Sequence, residues 1–183
     1  MTPSVLAEVR GQELIWVQPK ASKPDYELRA AGTVVASLRG RCGECEHHSW
    51  TFKLEGWFRR RVTVHAPDSV ADGAVFRWRR EEGGTLGLRQ GRILHFGVGK
   101  NSSPPRFDWL EPDGTPLVHF QTRAGFDASE GLVEIEPEAA RLLELPLLVV
   151  LGEYLTVLFA MRHGGAPDVL SVWDSLPSFP DVD

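Results

Sequence analysis

Between residues 13 and 135 the chain is built from short alternating runs separated by turn residues. Residues 49–54 set Trp50, Phe52 and Leu54 against Ser49, Thr51 and Lys53, the two-residue period of a half-buried strand. Residues 57–65 repeat the pattern, with Phe58, Val62 and Val64 on one face and Arg59, Arg61, Thr63 and His65 on the other. Similar runs at 13–17, 25–29, 33–38, 73–79, 85–88, 93–96, 106–110, 116–121 and 132–135 bring the expectation to about eleven strands. Gly32 and the pair Asp113-Gly114 mark hairpin turns. No long helical pattern alternates with the strands, which argues against a doubly wound α/β fold and for mostly antiparallel β structure.

The pattern changes after residue 137. Residues 138–145 favour a turn or two of helix, and Pro146 suits the first turn of a second one. From 147 to 159 nearly every position is apolar, and a helix apolar on all sides is buried on all sides. A sheet wrapped around that helix buries it most economically, and closure removes exposed strand edges. The segment 142–161 is long enough to span a bilayer, but it carries Glu144 and Glu153, so a helix inside a protein core is the cheaper reading. Gly152 lets the wall come close, while Glu153 and Thr156 require polar partners or a wet barrel end.

Composition narrows the classes. The chain has 183 residues, 42% of them hydrophobic, with six Trp, so one domain spanning 1–183 can build a core without disulfides or metal. Barrel and helix are expected over about 13–161, followed by a tail at 164–183. The net charge of −5 is unevenly spread: residues 51–100 hold ten basic and five acidic side chains, residues 101–183 four and fourteen. An acidic total argues against nucleic acid as the partner, yet leaves room for a local basic patch. The N-terminal residues show no secretory leader pattern, and two Cys make no secreted disulfide framework, so a cytoplasmic protein is expected.

The order of short glycine-punctuated strands followed by LELPLLVVLGEYLTVLF resembles the tubby C-terminal-like superfamily, which includes the phospholipid scramblases and the plant LURP-one-related proteins. The resemblance covers roughly residues 13–161 and is most persuasive over 114–161. It implies a closed antiparallel barrel of about twelve strands around a central C-terminal hydrophobic helix. It also implies a surface that binds phosphoinositide headgroups through cationic side chains. The matching candidates are Arg59 with Arg61, and Arg77 with Arg79. Each pair is spaced two residues apart, so in a strand both guanidiniums share a face and offer planar donors to phosphate. The Pro-rich N-terminal region and calcium segment of scramblases have no counterpart in this sequence, and scrambling is not implied.

The cluster Cys42-Gly43-Glu44-Cys45-Glu46-His47-His48 offers a different chemistry. In a turn, the C-x-x-C spacing presents two thiolates to zinc, with His47 or His48 as a third ligand. An inert reduced pair and a disulfide or redox pair are the other readings; the motif does not open a helix, which weakens the redox one. His95, His119 and His163 are scattered and read as surface or structural residues, and Asp108 and Glu111 supply no identifiable acid–base pair. HExxH, GxSxG, P-loop and EF-hand spacings do not occur, and the run from Gly97 to Ser102 lacks the spacing of a phosphate loop. The expected function is a non-enzymatic binding or scaffold domain, with anionic phospholipid headgroups as candidate ligand at the periphery of a membrane. The alternatives are a small zinc-dependent or redox enzyme using the Cys42–His48 region, and a structural protein-interaction domain.

Overall fold

The computed structural model describes residues 5–20, 23–55, 61–66, 71–79, 83–99, 105–122 and 130–163. A one-turn helix α1 (Val5–Glu8) precedes twelve strands. These are β1 (Leu14–Val17), β2 (Asp25–Ala30), β3 (Thr33–Arg39), β4 (Cys42–Cys45), β5 (His48–Glu55) and β6 (Arg61–His65). Then follow β7 (Val75–Trp78), β8 (Gly83–Gly87), β9 (Ile93–Val98), β10 (Arg106–Leu110), β11 (Pro116–Thr122) and β12 (Glu130–Ile135). A 3-10 turn (Ala139–Arg141) leads into helix α2 (Leu145–His163). Every strand pairs antiparallel with its neighbours in the chain, and β1 pairs with β12, closing an up-and-down barrel. The expected tail at 164–183 lies outside the described residues.

Helix α2 fills the barrel. Leu147, Leu148, Val149, Val150, Leu151, Tyr154 and Leu155 are all buried, as a helix apolar on every side demands. Its neighbours come from opposite walls. A Cβ on Gly43 of β4 would stand 2.3 Å from Val150, and one on Gly152 would stand 2.2 Å from the Phe120 ring of β11. Neither site has room for a side chain, so these two glycines set how closely helix and wall approach. Trp109 of β10, six strands from β4 around the ring, donates its indole N–H to the Leu148 carbonyl at 2.8 Å. Phe52 of β5 packs on Tyr154 with ring centres 5.0 Å apart. Phe76, Phe96 and Trp109 pack edge-on or tilted against one another between β7 and β10. Among the described residues no helix is long and apolar enough to cross a membrane.

The alternation expected for 49–54 and 57–65 holds wherever those residues are described: Trp50, Phe52, Val62 and Val64 are buried, while Thr51, Lys53, Arg61 and His65 are exposed. One expectation is corrected. Residues 42–45, expected in a turn, are strand β4, paired with β3 and β5. Gly43 and Cys45 face inward there because neighbouring residues of an extended chain point to opposite sides. The β2–β3 turn holds Ala31 (φ 46°) and Gly32 (φ 85°), both left-handed as a two-residue hairpin of right-twisted strands requires.

Candidate functional site: two ionic rows on the outer wall

Because the helix occupies the interior, the ionic side chains of the strands collect on the outer face. Antiparallel register lines them up in rows across the strands. One row runs Glu55, Arg61, Arg77, Thr85 and His95 over β5 to β9. Arg61 and Arg77 are direct cross-strand partners, and Arg79, two residues on, is exposed with them. The Arg61 Nε donates to Glu55 Oε2 at 2.7 Å, and Lys53 Nζ lies 3.5 Å from Glu55 Oε1. The hydrogen bond from Arg61 holds the Glu55 carboxyl below the usual carboxylate range. No carboxylate pairs with Arg77 or Arg79 among the described residues. The guanidinium of Arg77 extends over β8, where Gly87 leaves space beside it. Arg59, the partner expected for Arg61, lies outside the described residues.

A second row lies on β10 to β12. Asp108 and His119 face each other in register. His119 Nδ1 is hydrogen-bonded to Asp108 Oδ1, and His119 Nε2 lies 2.9 Å from Glu136 Oε1. Arg106 Nε donates to Asp108 Oδ1 at 3.0 Å. His119 is largely covered, with 12% of its side chain exposed. The hydrogen bond to Asp108 outweighs burial and raises its pKa above that of a free imidazole. Burial works to raise the Asp108 pKa, but the hydrogen bonds from His119 and Arg106 prevail and hold it low. Asp108, His119, Glu136 and Arg106 thus meet in one hydrogen-bonded cluster of two carboxylates, an imidazole and a guanidinium.

The cysteine region is arranged differently. Cys42 and Cys45 are three residues apart on a strand, so one faces outward and the other inward. The Cys45 thiol donates to the Val35 carbonyl at 3.5 Å, and burial, then Glu46, pushes its pKa up to about 12. His47 and His48 are exposed, and His48 stacks on Trp50 with ring centres 5.8 Å apart. The strand does not bring these four side chains to one point. Among the described residues no three His, Cys, Asp or Glu side chains are grouped to hold a metal ion.

Two concavities accompany these features. An open groove of about 540 Å³ lies outside β1 and β2, beside Ile15, Val17 and Arg29. A recess of about 10 Å³ lies where α2 meets β11 and β12, lined by Thr122, Gly131, Glu153 and Thr156 among others. The Thr156 hydroxyl donates to the Gly152 carbonyl at 2.9 Å, and Glu153 is pushed up to about 8 by burial.

Neither the Asp108–His119 pair nor the Arg61–Arg77 pair emerged from the sequence. The first carried a partial signal: a two-residue turn at Asp113-Gly114 counts back to Asp108 opposite His119, a pairing the structure reaches through a longer turn offset by a register shift between Trp109 and Leu110. The second carried none. Fold and wall together define a closed up-and-down β-barrel with a helix for its core and its ionic rows outside. No family model, curated protein or solved structure matches this chain.

Proposed function

We propose that this protein is a binding domain whose outer wall over β6 and β7 engages anionic phospholipid headgroups at a membrane surface. The observation that carries the reading is the direct pairing of Arg61 with Arg77, with Arg79 beside them on the same face. Like charges directly opposite each other across strands are unfavourable. Glu55 compensates Arg61, whereas Arg77 and Arg79 have no carboxylate among the described residues. A phosphate relieves that repulsion and accepts bidentate hydrogen bonds from guanidinium. The local excess of basic residues between 51 and 100 adds attraction that the acidic total of the chain opposes, so binding is weak and salt-sensitive.

The closed twelve-stranded barrel and its enclosed helix support the resemblance to the tubby C-terminal-like superfamily, and with it the headgroup reading. A barrel interior filled by side chains also leaves the outer wall as the surface for a ligand. The test is cosedimentation with liposomes. Vesicles containing a phosphoinositide pull down more protein than neutral vesicles at low salt, and the excess disappears at high salt. Equal recovery with both kinds of vesicle overturns the headgroup reading.

A further inference from the structure

Glu153 projects from the middle of helix α2 into the wall at the place where the barrel closes. It is 5% exposed. A Cβ built on Gly131 of β12 would lie 3.9 Å from its Oε2 and 3.8 Å from the Cβ of Trp16 on β1. Register places Trp16 opposite Gly131, and Gly131 opposite Thr122 of β11. The carboxyl thus lies against β11 and β12, beside the β1–β12 pairing that joins the two ends of the strand run.

The polar accounting there is open. Trp16 Nε1 and Thr122 Oγ1 are buried and have no hydrogen-bond partner among the described residues. No cation pairs with Glu153 among the described residues, and burial alone sets its pKa at about 8. Of the strands around it, β2 contributes the Tyr26 phenol, raised first by burial and then by the negative charge of Glu153. From β12, Glu130 stands at the exposed rim of the recess. The inward residues of β3, β4, β5 and β10 next to the helix are apolar or, at Cys45, a neutral thiol. Burial with no described cation beside it disfavours the carboxylate, so the closed barrel favours protonated Glu153.

We infer that the protonation of Glu153 latches the β1–β12 seam, and that loss of its proton opens that seam locally while the far wall stays closed. Among the described residues a carboxylate in this recess has the Thr122 and Thr156 hydroxyls beside it but no countercharge, and the cheapest route to solvation is through the adjoining strands. The direction follows from linkage. The pKa of Glu153 is raised in the closed state over the usual value of about 4.3 when exposed. Closure is therefore fully favoured below that lower value. It weakens about tenfold per pH unit as pH rises, until the closed-state value is passed.

The test is hydrogen–deuterium exchange of the full chain at about pH 6 and about pH 9, corrected for intrinsic exchange chemistry, in wild type and Glu153→Gln. Opening linked to this one proton accelerates exchange at the amides of Leu14–Val17 and Glu130–Ile135 more than tenfold across that interval in wild type. The same amides change less than twofold in Glu153→Gln, and those of β5 and β6 less than threefold in either protein. Equal acceleration in both proteins, or in all strands of the wild type, overturns the latch. If Glu153→Gln does not fold, a carbon-13 titration of the Glu153 carboxyl in wild type decides. A midpoint near 8 that β1 and β12 amide shifts follow supports the latch, and a midpoint in the ordinary carboxylate range overturns it.

Discussion

The two ionic rows on the outer wall use the same geometry for opposite ends. On β10 to β12, two carboxylates, an imidazole of raised pKa and a guanidinium form one hydrogen-bonded cluster. On β6 and β7, two guanidiniums face each other and the nearest described carboxylate, Glu55, is bonded to only one of them. A row that closes its own charge balance holds strands together. A row left with surplus charge costs a little stability and keeps donors for something outside the molecule. The difference is what motivates the proposal that the second row, and not the first, is the binding surface.

Both rows depend on the helix behind them, and the largest effect comes from breaking that support. Leu151 is fully buried against the wall, so Leu151→Asp combines lost packing with a desolvated carboxylate. A loss of about 4 kcal/mol or more is expected, enough to leave little folded protein. Thermal unfolding together with the soluble yield measures it, and a wild-type melting temperature would contradict a helix at the barrel centre.

The next effect distinguishes the rows directly. His119→Gln removes charge-assisted hydrogen bonds from the balanced row and should cost about 1–2 kcal/mol at pH 6. Because the His119 pKa is raised on folding, its contribution is complete below about 6.5 and is lost as pH rises through the folded-state value. Denaturant unfolding of wild type and variant should show their difference narrowing from pH 6 to pH 9. A difference that widens toward alkaline pH contradicts a protonated His119 held between carboxylates. The smallest effect belongs to the other row. Arg77→Ala should change stability by no more than about 0.5 kcal/mol, since no carboxylate partner is lost among the described residues. A cost as large as that of His119→Gln would make the arginine row structural too and erase the distinction.

Much of this architecture is legible in the chain because burial on one face of a strand imposes a period of two. The runs that became β5 and β6 carry it in large apolar and charged residues, and a helix apolar on all sides can only be enclosed. Strand β4 escaped because Cys42-Gly43-Glu44-Cys45 has no aromatic or β-branched residue to mark a face. One of its two inward positions is a glycine, required there by Val150. The rows differ in the same way. Shared orientation of Arg77 and Arg79 follows from their spacing, but the partner of Arg77 depends on a register set across a longer connection between β6 and β7. That no described cation pairs with Glu153 is a three-dimensional fact, since its surroundings are brought together by closure of the barrel.

The claim that the unbalanced row is the binding surface is tested most directly by comparing arginine variants from the two rows on the same vesicles. Wild type, Arg77→Ala/Arg79→Ala and Arg106→Ala, each shown to be folded, are cosedimented with phosphoinositide-containing liposomes at low and high salt. The double variant should lose most of the salt-sensitive binding, at least fivefold, while Arg106→Ala keeps it within about twofold despite losing one positive charge. Undiminished binding by the double variant, or an equal loss from both, would contradict a headgroup site on β6 and β7.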